Sequence, residues 1–245
     1  MPFKMNSPQG KCILAMVREG DFAHPGEDQA IVDAVVGLPK HKINRILDIG
    51  CGRGGTANWF HANHWGWVVG VDIDDTSIDY AKRQYPDVSF FSQDVLSLST
   101  IGLDNFDLIY LFNVFYALSD QLDVLKTLRQ QCQVGAHLLI CDYTLSQTQT
   151  LPMSLGSEIG QPIPIERLEE WCLASDWQLS VFDNWTEHYI NAYVQFVAKL
   201  NSKRAAIVQL FGEAWYQYAL TWYQTLLKEL QTGHIGGGKF IIKAI

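Results

Sequence analysis

In Ile46-Leu47-Asp48-Ile49-Gly50-Cys51-Gly52-Arg53-Gly54-Gly55-Thr56, an apolar, β-branched run ends in a carboxylate and glycines follow at alternate positions. That combination binds ligands: glycine lets the backbone approach a ligand closely, and a carboxylate accepts charge-assisted hydrogen bonds. The pattern of an apolar run ending in polar residues recurs three times. Val68-Val69-Gly70-Val71 ends in Asp72, Val88-Ser89-Phe90-Phe91-Ser92-Gln93 ends in Asp94-Val95, and Phe106-Asp107-Leu108-Ile109-Tyr110-Leu111-Phe112 runs into Asn113. Asp72 stands at roughly the spacing expected of a residue that grips ribose hydroxyls. Gly50, Gly52 and Gly55 also satisfy G-x-G-x-x-G, a dinucleotide fingerprint, so this corner alone leaves the ligand open.

Each apolar run suits a strand buried on both faces. The segment from Thr56 to His64 has no proline and reads as a helix closed by Gly66, which makes a strand, glycine turn and helix. Upstream, Ser7-Pro8 opens a helix with Ile13, Leu14, Met16 and Val17 on its apolar side. Phe22-Ala23-His24-Pro25-Gly26-Glu27 is a turn into a second helix, ended by Gly37-Leu38-Pro39. Thr76-Ser77-Ile78-Asp79 fits a cap opening a helix to Gln84. Ser119 caps another, striped by Leu122, Leu125, Leu128 and Cys132 and stopped by Val134-Gly135 before the strand His137 to Cys141. Ile165, Leu168, Trp171 and Cys172 stripe a further helix leading to a strand from Gln178 to Phe182, and Gly236 to Ile245 closes the chain as a strand. Strands alternating with helices predict an α/β fold with a doubly wound, mainly parallel seven-stranded sheet.

This ordered series resembles the class I S-adenosylmethionine-dependent methyltransferases over about the first 145 residues. The resemblance implies a Rossmann-like fold whose last strand inserts antiparallel between its neighbours. It implies S-adenosyl-L-methionine as cofactor, with S-adenosyl-L-homocysteine as product. Gly50, Cys51 and Gly52, with Asp48 before them, would pass along the ribose and methionine portion. Asp72 would accept from the ribose hydroxyls, Ile73 would lie on the adenine face, and Asp94 with the Val95 amide would meet the adenine edge. Phe112 and Asn113 would line the methionyl group. Asp48, Asp72 and Asp94 also suit plain helix and turn caps.

Methyl transfer mainly requires a nucleophile aligned behind the methyl group and water excluded. A general base is needed only for a protonated acceptor, and Tyr116, His24, Tyr143 and His188 are the candidates, with ordinary packing or a solvated surface the other explanation for each. His24-Pro25-Gly26 is equally a simple turn and cap. Residues 1–40 form an expected helical cover, and residues 185–233 an expected lid insertion within one domain of 245 residues. The lid reads as two helices, Trp185 to Leu200 and Lys203 to Leu230, stopped by Gly233. Its aromatics Trp185, Tyr189, Trp215, Tyr216, Trp222 and Tyr223 suit a cage for a methylated ammonium, a cover for a flat ring, or the packing between the helices.

Absences narrow the acceptor. Asn113 is followed by Val114-Phe115, not Pro-Pro-aromatic, which disfavours DNA amino-methylation, and no proline precedes a cysteine, which removes the cytosine-C5 nucleophile. A net charge of −8 without a long basic cluster disfavours nucleic acid. Five scattered cysteines suit a reducing compartment and neither a zinc site nor a disulfide framework, and a lone Asp142 is weak support for magnesium. The first ten residues lack a signal-peptide core and no stretch approaches a membrane span, so the cytoplasm is the expected location. A small-molecule acceptor is expected, and loose resemblances point to an amine nitrogen, as in sarcosine and dimethylglycine N-methyltransferases, or a ring carbon, as in quinone and tocopherol C-methyltransferases. The rival readings are an NAD(P)-dependent oxidoreductase, a non-catalytic S-adenosylmethionine-binding protein, and a relative that transfers another group. Exposed lid aromatics would permit a homodimer.

Overall fold

The computed structural model describes residues 3–146, 149–156 and 158–245. Its centre is one sheet. The strands are β1 (Arg45–Ile49), β2 (Trp67–Asp72), β3 (Ser89–Ser92), β4 (Phe106–Phe112), β5 (Cys132–Leu145), β6 (Ile163–Pro164), β7 (Trp177–Asn184) and β8 (Gly236–Ala244). The order along the sheet is β3-β2-β1-β4-β5-β8-β7. Pairing is parallel from β3 through β5, and β8 runs antiparallel between β5 and β7, as the resemblance implies. The seven expected strands are all on this path. An eighth, the two-residue β6, pairs parallel with Thr144 and Leu145 of β5 and was not foreseen. Because the chain starts mid-sheet and winds both ways, the order reverses between β1 and β4, and ligands bind outside the strand ends at such a point.

The helices follow local signals with instructive shifts. In α1 (Pro8–Arg18), Pro8 sits in the first turn and the Ser7 side chain accepts from the Gly10 amide, a cap of the kind that contributes about 1 kcal/mol. The next two are α2 (Glu27–Ala34) and α3 (Gly55–Ala62). In α4 (Asp75–Gln84) the cap is Asp74, accepting from the Thr76 amide, and not Thr76 itself. In α5 (Gln121–Gln130) Asp120 precedes the first turn in place of Ser119. The buried stripe there uses Val124, Leu125 and Leu128, while Cys132 already belongs to β5. After α6 (Ile165–Leu173), the late insertion contains three helices and not two: α7 (Thr186–Ser202), α8 (Arg204–Phe211) and α9 (Glu213–Gln231). Gly212, at φ 89° and ψ 158°, breaks the long second helix, a conformation open mainly to glycine.

Three apolar cores result. One face of the sheet packs Leu125, Leu128, Leu168 and Trp177, and the other packs Ile31, Ala57, Phe60 and Ile78. The third core lies beyond the strand ends, where Ile13, Leu14 and Val17 of α1 meet Tyr193, Phe196, Ile207 and Leu226. α1 and α7–α9 therefore form one helical layer over the carboxyl edge of the sheet. No helix among the described residues is long and apolar enough to cross a membrane.

Candidate active site

The glycine loop after β1 is shaped by close approaches. Gly50 has φ +71°, and a Cβ there would come within 2.4 Å of the Val114 side chain. Its amide and that of Cys51 donate to the Val71 carbonyl at 2.7 and 3.0 Å, which ties the loop to β2. Gly52 differs: at φ +51° nothing lies within 4 Å of where its Cβ would be, so its bare backbone faces open space. A Cβ on Gly55 would strike the Asp21 backbone at 2.7 Å, so the Asp21 segment covers the first turn of α3. That segment is pinned by Arg53, whose Nε donates to Asp21 Oδ1 at 2.7 Å, and by Tyr80 and Tyr85, whose hydroxyls donate to Oδ2 at 3.1 and 2.8 Å.

At the end of β2, Asp72 Oδ2 accepts from the Gly52 amide at 2.8 Å and Oδ1 from the Asp74 amide at 2.9 Å. An ionised carboxylate has about four acceptor positions, so each oxygen keeps one lone pair for a ligand. Beside it Ile73 is 72% exposed, an aliphatic side chain left without a protein partner at the cavity mouth. Asp94 Oδ1 accepts from the Leu96 amide at 2.8 Å, so it caps its own turn while its side chain lines the same cavity, with buried Val95 beneath.

Asn113 sits at φ +53°, a conformation asparagine tolerates better than most residues. Its Oδ1 accepts from the Tyr189 hydroxyl at 3.2 Å, and its buried Nδ2 has no partner. The turn that follows is organised by Asp142, which lies inside β5 and is fully buried. Its oxygens accept from the amides of Tyr143 at 2.7 Å and Tyr116 at 3.1 Å. The Tyr116 carbonyl accepts from the Gln161 amide, and Gln121 Nε2 donates to the Phe115 and Gln161 carbonyls, so the turn is held from both sides. Asp142 is thus committed to the backbone. Among the described residues no group of three His, Cys, Asp or Glu side chains is placed to hold a metal.

One cavity of about 580 Å³ joins these pieces. Gly50, Gly52, Asp72, Ile73, Asp94, Val95, Asn113 and Tyr116 all line it, so most of the sequence-derived site converges there. Its far wall is tyrosine-rich: Tyr116 stands edge-on to Tyr143 at 5.2 Å, and the hydroxyls of Tyr143 and Tyr193 are hydrogen-bonded. Of the lid aromatics, Trp222 and Tyr223 line the cavity, whereas Trp185 stacks on His188, Trp215 packs on Phe3, and Tyr216 donates to Asn201.

Several lining residues escaped the sequence reading. Lys11 and Arg18 come from α1, Glu158 from the segment before β6, and Tyr193 from α7. Glu158 Oε1 accepts from the Tyr218 hydroxyl and from the Met5 amide at 3.3 Å. A signal for Arg18 existed: it lies four positions beyond Leu14, on the face that the Ile13, Leu14, Val17 stripe marks as buried.

Other expected site residues fall outside the cavity lining. Asp48 is 3% exposed beneath the glycine loop, beside Tyr110, and its Oδ2 has no hydrogen-bond partner. Cys51 and Phe112 are buried, the first against β2 and the second 4.8 Å from the His24 ring. His24 is buried with Nε2 3.1 Å from Thr56 Oγ1. His188 lies against Trp185 with Nε2 3.7 Å from Asp33 Oδ2, on the side of α7 away from the cavity. Burial holds the Tyr116 and Tyr143 phenols above the usual range.

Three buried groups make stability depend on pH. Burial pushes Asp48 up to about 8, with the Asp72 charge adding to the rise and the Tyr110 hydroxyl opposing it. Burial pushes Asp142 up to about 7 against its backbone donors, and burial followed by the Arg18 charge lowers His24 to about 3. A raised carboxyl group gives stability that is lost as pH rises through its folded value; a lowered histidine gives stability lost as pH falls below 6.5 towards its folded value. Between pH 6.5 and 8 only the carboxyl groups act, each contributing a slope of at most about 1.4 kcal/mol per pH unit. The urea midpoint of the ligand-free protein is expected to fall across that window, less steeply in Asp48→Asn. A flat or rising midpoint would contradict this account.

Comparison with known proteins adds a family. A family profile described as a methyltransferase domain matches residues 24–195. Trans-aconitate 2-methyltransferase of Rhizobium leguminosarum bv. trifolii is 28% identical over 147 residues, covering 60% of this chain and 51% of the relative, so the chain spans about half of that protein's length. Phosphoethanolamine N-methyltransferase 2 of Haemonchus contortus, in complex with S-adenosyl-L-methionine, superposes with a TM-score of 0.85 at 17% identity over 97% of this chain and 57% of its own. The cyclopropane synthase MmaA2 of Mycobacterium tuberculosis superposes with a TM-score of 0.83 at 16% identity over 97% and 94%. At such identities these structures show a shared fold.

Proposed function

Because the chain belongs to the methyltransferase-domain family, we propose that it is an enzyme that transfers a methyl group from S-adenosylmethionine to a small-molecule acceptor, at an amine nitrogen or a ring carbon. The observation that carries this reading is the single cavity running from Asp72, Ile73 and Asp94, past Gly50 and Asn113, to Tyr116 and Tyr143 under the helical layer. When bound, the cofactor supplies a methyl group on a cationic sulfonium that departs as a neutral thioether.

The chain's residues fit such a molecule. Asp72 retains acceptor capacity on both oxygens for a diol, Ile73 offers an apolar surface for a flat base, and Gly52 gives bare backbone beside them. The partnerless Asn113 Nδ2 supplies a donor in the cavity near the glycine loop. α7 and α9 act as the lid that excludes water. Tyr116 and Tyr143 stay protonated at neutral pH, so they orient an acceptor by hydrogen bonding and do not take its proton. His24, neutral and buried against Thr56, positions the α3 turn. A dinucleotide fits less well, because pyrophosphate requires a helix N-terminus and the Asp21 backbone covers that of α3.

The test is incubation with S-adenosylmethionine and a panel of amines and of phenolic or quinol rings. S-adenosylhomocysteine together with an acceptor heavier by one methylene is expected. Tight cofactor binding with no product from any acceptor would favour a non-catalytic protein, and binding of NADH in place of S-adenosylhomocysteine would overturn the reading.

A further inference from the structure

Arg18 ends α1 and is 4% exposed. Nη1 donates to the Phe22 carbonyl at 3.0 Å, and the guanidinium stands 5.1 Å over the Phe196 ring. Its Nε is buried with no partner. Among the described residues no carboxylate forms an ion pair with it, yet it lines the cavity. The other cation in the lining, Lys11, is satisfied by Asp74 at 2.5 Å and Ser77 at 2.8 Å. The other arginine nearest the site, Arg53, is satisfied by Asp21.

An arginine cannot discharge itself at any ordinary pH, and a buried charge without a partner is strongly unfavourable. Its five donors form a planar fork that matches a carboxylate. One carbonyl and one aromatic face answer only part of that capacity. The surrounding surface is suitable: Tyr193 and Tyr223 lie close enough to feel its charge, and both line the cavity. From this geometry we propose that Arg18 is a carboxylate-binding subsite of the cavity, filled by the amino-acid end of the cofactor or by an acid group on the acceptor. The inference rests on the cofactor reading above and adds a chemical requirement: an acceptor bearing only positive charge is repelled at this end.

Calorimetric titration of the wild type, Arg18→Met and Arg18→Lys separates the two sources. The probes are S-adenosylhomocysteine and 5′-methylthioadenosine, which keeps the nucleoside and thioether but lacks the amino-acid end. Binding of 5′-methylthioadenosine to a variant shows that it has folded. If the cofactor supplies the carboxylate, Arg18→Met binds S-adenosylhomocysteine about 100-fold more weakly, retains 5′-methylthioadenosine, and Arg18→Lys recovers part of the loss. If the acceptor supplies it, both probes bind all three proteins alike. Trans-aconitate or benzoate then binds the S-adenosylhomocysteine-saturated wild type and not Arg18→Met. The inference is overturned if the variants match the wild type for both probes and neither acid binds in an Arg18-dependent way. Failure of the wild type to bind either nucleoside probe would instead overturn the cofactor reading.

Discussion

Replacing Asp72 with alanine is expected to weaken S-adenosylhomocysteine binding by at least about 100-fold, since each charge-assisted hydrogen bond to a ribose hydroxyl contributes about 1.5–3 kcal/mol. The loss has two parts. The diol loses its acceptor, and the amides of Gly52 and Asp74 lose theirs, so the glycine loop is no longer tied to the end of β2. Asp72→Asn keeps one acceptor oxygen but turns an amide group towards either the ligand or an N–H donor, so an intermediate loss is expected. Because the ribose is common to both probes, Asp72→Ala should weaken 5′-methylthioadenosine equally, unlike a change at Arg18. Calorimetry reads both. Unchanged affinity in Asp72→Ala would remove Asp72 from the cofactor site, and the cofactor reading would lose its principal anchor.

The second large effect is expected at Asp142. Alanine there removes the acceptor of the Tyr143 amide, which is buried, and of the Tyr116 amide, which is part-buried. Each buried unsatisfied group costs about 1–3 kcal/mol, so Asp142→Ala should lose about 3–4 kcal/mol, a large share of a typical domain's stability. Asn113, Tyr116 and Tyr143 are all held through this carboxylate and the turn it organises, so methyl transfer should fall more steeply than cofactor binding does. Urea denaturation gives the first quantity, and comparison of turnover with S-adenosylhomocysteine affinity gives the second. A variant as stable as the wild type would mean that the turn finds other acceptors.

The end of the cavity beside the glycine loop was legible because it is local. A β-branched run, a carboxylate and a glycine turn are consecutive residues, and their spacing determines their geometry: Gly50, Gly52, Asp72 and Asp94 line one cavity. The opposite end was not. Arg18, Glu158 and Tyr193 come from segments far apart in sequence and meet only when α1, the stretch before β6 and α7 pack over the sheet. The sequence predicts a helix from Trp185 to Leu200, which contains Tyr193, but does not say which element its buried face meets. His188 shows the converse. Its residue type makes it a candidate base in the sequence, but it is on the face of α7 that meets Trp185 and Asp33. Gly212 was passed over because apolar residues recur at helical spacing on both sides of it.

The place of β8 between β5 and β7 bears on how the molecule folds. Among the described residues β7 has no other neighbour in the sheet, and His137 of β5 must find Lys243 across most of the second half of the chain. Strands β1 to β5 can pair as they emerge, but among the described residues β7 has no strand to pair with until the last strand docks. Pairings so distant in sequence are intrinsically slow because loop closure precedes any gain from contact. The start of α7 gains its hydrogen bonds to the sheet, between Trp185 or Thr186 and Gly237, in the same late step that seals the sheet.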